Sequence, residues 1–218
     1  MFGSNEPLDF IDYIRDNPET FWRLFRDHAQ LVVYAVLIAI VIAVPLAILT
    51  SRVQALERPM TGIANIGQAI PSLAVLALML PRLGIGFRPS LFALTILAIL
   101  PIFLNTFVGI KSVDSAVVDA ARGMGTSDTQ LLQMVQMPLA LPFMFAGIQT
   151  AVVQSIGLAT LAAYIGGGGF GNWILQGLAI YSFPILLAGA IPVALMAMTA
   201  ELALGGVRRW VVPKGLTV

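Results

Sequence analysis

Three stretches of this chain carry no Asp, Glu, Lys or Arg: Ala29 to Ser51, Pro59 to Pro81 and Pro89 to Ile110. A fourth runs from Thr129 to Ala200. Crossing a bilayer core takes about 20 apolar residues in a helix, so each of the first three is long enough for one span. The fourth is too long for one. It is interrupted by Gly166-Gly167-Gly168-Gly169-Phe170-Gly171-Asn172, a glycine density that a helix interior does not support. The reading is an all-α membrane protein with five transmembrane helices, at about 30–50, 60–80, 89–110, 138–164 and 183–205. Outer-membrane strands would alternate apolar and polar residues. Leu31 to Leu49 is instead apolar on every face, as suits a helix in lipid.

Composition supports this solvent. Charged residues make up 11% of the chain, where a soluble domain carries about 25%, and mean hydropathy is +0.91. A net charge of +1 argues against a nucleic-acid partner. The absence of cysteine excludes disulfides and thiolate ligands. The acidic start (Glu6, Asp9, Asp12) lacks the basic flank of a secretory leader. An odd span count puts the termini on opposite sides. Arg52, Arg58, Lys111, Arg122, Arg208, Arg209 and Lys214 fall on one side, and Arg15, Arg23, Arg26, Arg82 and Arg88 on the other. The positive-inside rule then sets the C-terminus in the cytoplasm and the N-terminus outside.

Residues 1–28 read as an N-terminal amphipathic, interfacial segment. Asn17 and Pro18 are an N-cap and a first helical position. Phe21, Trp22, Leu24, Phe25 and Ala29 share roughly one face, opposite Arg23, Arg26 and Asp27. His28, the single histidine, falls outside the first span and is expected at the surface. Residues 29–205 form the transmembrane domain and 206–218 a cytoplasmic tail.

Several spans carry polar residues: Asn65, Gln68 and Ser72 in the second, Asn105 in the third, Gln149, Gln154 and Ser155 in the fourth, with Tyr164 at its end. They suit either interhelical hydrogen bonding or the lining of a solute path. Gly147 with Ala151, and Ala190 with Ala194, have the four-residue spacing that lets helices approach. Glu201, near the inner end of the last span, is expected to snorkel or to pair with Arg208. The chain has no Gly-x-x-x-x-Gly-Lys-Ser/Thr phosphate loop and no pair of catalytic aspartates or Ser/His constellation. No catalytic residue, metal ligand or cofactor site is therefore assigned. A secondary transporter or channel would need intramembrane ionisable groups or an ion filter, and Thr129 to Ala200 offers none.

The polar loop 111–137 carries the strongest local signal. Asp114 is placed to cap a helix over about 115–122, with Asp119 and Arg122 at its two ends. Gly123 and Gly125 stop it, and Ser127 with Gln130 has capping-box spacing for a second short helix. Leu131, Leu132 and Val135 give that helix an apolar stripe, and Pro138 opens the fourth span. Ala120 and Ala121 keep the surface low for another protein.

This loop resembles the EAA loop of ABC importer permeases. Asp119-Ala120-Ala121 stands for Glu-Ala-Ala, Gly125 keeps the glycine, and Val135 and Met137-Pro138 stand for the Ile and Leu-Pro that follow. Ile70-Pro71-Ser72-Leu73-Ala74, Leu83-Gly84-Ile85-Gly86, Asn105-Thr106 and Ile165 to Gly171 extend the resemblance over nearly the whole chain. They are similar to the permeases for glycine betaine, choline and carnitine. An amino-acid permease, such as one for methionine, is the alternative. The resemblance implies a type I (MetI-like) fold in a bacterial cytoplasmic membrane, paired with a second copy or a related permease. It implies two ATPase subunits that bind ATP and Mg and dock on the loop, and an external solute-binding protein as a separate chain. It also implies an outer mouth at Gly166, Gly169, Phe170, Gly171 and Trp173. Tyr34, Phe103, Phe107, Phe143 and Tyr164 are the aromatics that a passing quaternary ammonium ion would meet.

Overall fold

The computed structural model describes residues 9–211, and among them every regular element is helical. The first residues of the N-terminal segment and the last of the tail, Lys214 included, lie outside the described residues.

Helix α1 (Asp9–Asp16) is followed after one residue by α2 (Pro18–Arg52). Asn17 holds the N-cap position, but its side chain does not cap α2. Its Nδ2 donates back to the Tyr13 carbonyl at 3.0 Å, tying the two helices together. The 35 residues of α2 are continuous through Pro45, a length of about 52 Å at 1.5 Å per residue. The expected surface helix and first span are thus one rod. Part of the apolar face of its first turns packs inward, while Trp22 and Phe25 stay exposed. Phe21 packs against Phe170 and Trp173, with ring centroids 5.3 and 6.3 Å apart, and Leu24 and His28 are buried beside Phe170.

The second span is not one helix. It is α3 (Gln54–Ala69) and α4 (Ser72–Leu83), bent by 98°. Pro71 has no N–H to give, and it forces Ile70 into extended backbone (φ −69°, ψ 128°). Among the described residues, four helices are individually long and apolar enough to span a membrane, and counting the bent pair as one span gives five. The others are α5 (Phe87–Lys111), α8 (Met137–Ala159) with the turns that precede it, and α10 (Phe183–Val211). Between them lie α6 (Ser115–Gly123), α7 (Asp128–Gln130) and α9 (Gly171–Ala179).

The core is a sandwich of α2, α5 and α8. Ala35, Ala39, Ala43 and Ala47 make a buried small-residue stripe at four-residue spacing along α2, which lets neighbouring helices come close. Helices α5 and α8 pack tightly at two glycines. A Cβ on Gly147 would stand 2.7 Å from Asn105 Cβ, and one on Gly109 2.7 Å from Phe143 Cβ. Ala151 is buried as its spacing with Gly147 suggested, whereas Ala194 is exposed. Helices α9 and α10 form a tight antiparallel hairpin, with Gly177 against Leu186 and Gly189 against Ile174.

Candidate functional site: the end hairpin and a polar cleft

At one end of the bundle the chain turns through a compact hairpin. Asp114 caps α6, its Oδ1 accepting from the Ala116 N–H at 2.8 Å. The helix closes with the Met124 N–H on the Ala120 carbonyl and the Thr126 N–H on that of Ala121. Gly125 (φ +83°) carries the left-handed residue of this turn. Gly123 lies inside the helix, so of the two expected stops only Gly125 acts as one. Ser127 and Gln130 then form the expected capping box, with both reciprocal bonds present.

The second short helix is not separate from the fourth span. Asp128–Gln130 runs through a π-helical stretch (Leu131–Gln136) straight into α8, a continuous 32 residues to Ala159. The cause is Pro138, which lacks the N–H for the Met134 carbonyl and whose ring crowds it. The helix answers by widening one turn upstream. There the Met137 N–H reaches back to Leu132.

Three ion pairs define this end. The Lys111 ammonium pairs with Glu57, joining α5 to α3. The Arg52 Nη2 donates to the Asp128 carbonyl at 2.6 Å. The Asp128 carboxylate lies 3.9 Å from both Arg52 and Arg122. Arg52 had no assigned role in the sequence; as the last residue of α2 it fastens the hairpin to the bundle. On the open face stand Asp119, Ala120, Arg122, Gly123 and Met124, the last 79% exposed. Ala121 does not join them. It is 3% exposed and faces its own hairpin, so the low surface offered to a partner is that of Ala120. Val135 and Pro138 are half-buried in the second arm.

The helix break at Pro71 opens a cleft of about 500 Å³. Gln68 and Ser72 line it from the two sides of the bend, Gln154 and Gly157 from α8, and Leu100 from α5. Three of the eight candidate path residues therefore meet. The remaining five do not. Asn65 is exposed elsewhere on α3, and Tyr164 is 59% exposed beyond α8. The Asn105 Nδ2 donates to the Pro101 carbonyl of its own helix at 2.9 Å. Ser155 is buried behind the cleft wall. The Gln149 Nε2 donates to Glu201 Oε1 at 2.6 Å, a partner for Glu201 other than the Arg208 that was one of its two expected roles. None of the five candidate aromatics lines the cleft.

At the opposite end, residues 166–171 form a packed plug and not a pliant loop. Phe170 and Trp173 are both buried. The Gly86 N–H donates to the Ile165 carbonyl at 2.7 Å. A Cβ on Gly167 would strike Ser90 Oγ at 2.2 Å, and one on Gly171 the Thr160 carbonyl at 2.0 Å. His28, expected at the surface, is wholly buried beneath this plug. The signal was present in the spacing. Leu24, His28, Leu31 and Ala35 fall on one helical stripe, and all four are buried. Among the described residues, no group of three or more His, Asp or Glu comes together to hold a metal.

Comparison with known proteins agrees with this architecture. Residues 15–214 match the family described as binding-protein-dependent transport system inner membrane component. The glycine betaine/carnitine/choline transport system permease protein OpuCB of Bacillus subtilis (strain 168) is 39% identical, covering 87% of this chain and 88% of its own. The carnitine transport permease protein OpuCB of Listeria monocytogenes is 40% identical over 94% of both chains. The osmoprotectant import permease protein OsmW of Salmonella typhimurium is 37% identical, covering 96% of this chain and all of its own. Among solved structures, the inward-facing MetNI methionine ABC transporter superposes with a TM-score of 0.81 at 22% identity, over 90% of this chain and 99% of that one. At that identity the likeness speaks for the fold alone.

Proposed function

The chain belongs to the family of binding-protein-dependent transport system inner membrane components, and from that premise we propose that it is the membrane-spanning subunit of an ATP-driven importer for quaternary ammonium osmoprotectants. The observation that carries this reading is the 37–40% identity, over nearly the full chain, to permeases named for glycine betaine, carnitine, choline and osmoprotectants. The methionine alternative rests on a fold likeness at 22% identity and is the weaker reading.

In this proposal the hairpin 111–137 faces the cytoplasm, the C-terminus lies on the same side and the N-terminus lies outside. Two ATPase subunits bind ATP and Mg and dock on the open face around Asp119, Ala120, Arg122 and Gly125. Met124, exposed at its tip, supplies an apolar anchor. Gly125 and the capping box hold the two arms at a fixed angle. Val135 and Pro138 sit where the second arm becomes the span, so a displacement of the hairpin moves α8 directly. A second permease copy closes the exposed side of the cleft, and Gln68, Ser72 and Gln154 line the route that solute takes. These groups are neutral, which suits a cation with no N–H to donate, since a carboxylate would retain it. The external solute-binding protein delivers solute at the end marked by Gly166, Gly169, Phe170, Gly171 and Trp173.

The test is reconstitution with the partner ATPase and binding protein in proteoliposomes. Uptake of labelled choline, glycine betaine or carnitine should require ATP, and methionine should not be taken up. Ala120→Trp should leave the protein inserted and solute-binding-protein docking intact while abolishing ATP-driven uptake. Wild-type uptake without the ATPase, or undiminished uptake by Ala120→Trp, would overturn the proposal.

A further inference from the structure

The last turn of α8 leaves one acceptor for another element to fill. As the chain tightens into a 3-10 segment (Leu161–Ile165), the Thr160 N–H turns to the Gly157 carbonyl at 3.2 Å. The Ile156 carbonyl is thereby released from its usual partner four residues on. His28, 128 residues away on α2, reaches it with Nε2 at 3.0 Å. A carbonyl can only accept, so Nε2 carries the hydrogen and Nδ1 is bare. Nδ1 is buried with no hydrogen-bond partner. It faces Gly169, whose Cβ, were there one, would lie 2.9 Å away. The ring also packs on Phe170, centroid to centroid 6.0 Å. A buried polar atom without a partner is costly, and more so away from water, so a plain packing role would be served better by leucine.

The location of Ile156 gives the bond its meaning. Gln154, Gly157 and Leu158 on the same two turns of α8 line the polar cleft. We propose that His28 is a positioning residue for transport: by capping Ile156 and seating Gly169, it fixes the outer end of α8 and so sets the cleft wall that carries Gln154. The inference rests on the importer reading above. It requires that the cleft be used by solute, and that its wall be held from behind by α2.

The chain has no cysteine, so two can be introduced for spin labels without background. Val33 on α2 and Thr150 on α8 are exposed and outside the cleft. The Val33→Cys/Thr150→Cys pair, in the complete importer, should give a narrow interlabel distance. His28→Leu should broaden it, and solute moved per ATP hydrolysed should fall about tenfold, the scale of one lost buried hydrogen bond. His28→Gln, whose Nε2 can donate to the same carbonyl, should restore both. If His28→Leu keeps the narrow distance, or if uptake and hydrolysis fall in parallel so that their ratio is unchanged, His28 is only a core residue and the proposal fails. Should the wild type show no ATP-driven uptake at all, the importer reading falls, while the distance measurement still decides whether His28 positions α8.

Discussion

Replacing Gly147 by alanine tests whether α5 and α8 are set at their distance by a missing methyl group. An ideal Cβ at this position lies 2.7 Å from Asn105 Cβ, 2.9 Å from the Pro101 carbonyl oxygen and 3.2 Å from Ile102 Cα. The last two are backbone atoms. Asn105 is held by its own bond to Pro101, so no flexible side-chain end can swing away. Packed carbons rest about 3.5–4.0 Å apart, so the two helices must part by about 1 Å to admit the methyl. Overpacking of this kind costs about 1–3 kcal/mol. At roughly 2–4 °C per kcal/mol for a chain of this size, the melting temperature falls by about 2–12 °C. Gly62 on α3 is the control, because nothing lies within 4 Å of the place its methyl would take. Alanine there should gain helix propensity, about 0.5–1 kcal/mol. The assay is thermal unfolding of each purified variant in detergent, followed by loss of the monodisperse chromatographic peak. A Gly147→Ala protein that melts at or above the wild-type temperature would refute the close-approach argument.

Two further outcomes follow from the end hairpin. Ser127→Ala removes the side-chain acceptor for the Gln130 N–H and should cost about 1 kcal/mol locally. Amide exchange over residues 127–131 should then quicken severalfold while the spans stay protected. Arg52→Met removes the donor to the Asp128 carbonyl. Since Asp128 is largely exposed, global stability should change by less than about 1 kcal/mol. Protease nicking of the hairpin should nevertheless rise, and unchanged cleavage would mean that Arg52 does not fasten it.

The local rules read well where local rules decide. Asp114, Gly125, Ser127 and Gln130 act as their spacing suggested because capping depends on neighbours within four residues. The apolar runs located the spans because a lipid solvent demands length and little else. What the sequence hid was set by distant contacts. Pro71 was visible, but so was Pro45, and the helix runs on through Pro45 while it breaks by 98° at Pro71. Pro138 was visible too, but that the helix would widen into a π-turn before it and run on, rather than stop, was not. Gly171 and Gly167 read as loop glycines by density, whereas each is required by a close contact with Thr160 or Ser90. Ala121 and Ala120 are adjacent and alike in sequence, and only the fold of the hairpin tells the inner from the outer. The eight polar residues of the spans could not be sorted by composition. Four of them answer to a helix break or to a hydrogen-bond partner on another helix: Gln68, Ser72 and Gln154 at the break, Gln149 to Glu201.

The stretch from Asp128 to Ala159 is braced at both tips by the same neighbour: Arg52 grips its foot and His28 its crown, and both belong to α2. A beam about 48 Å long, pinned twice to one strut, can pivot with that strut but cannot slide along it. In the proposed importer, a push on the foot would reach the crown as tilt. Between foot and crown, Leu131–Gln136 is the one stretch of this beam wound wider than an α-helix.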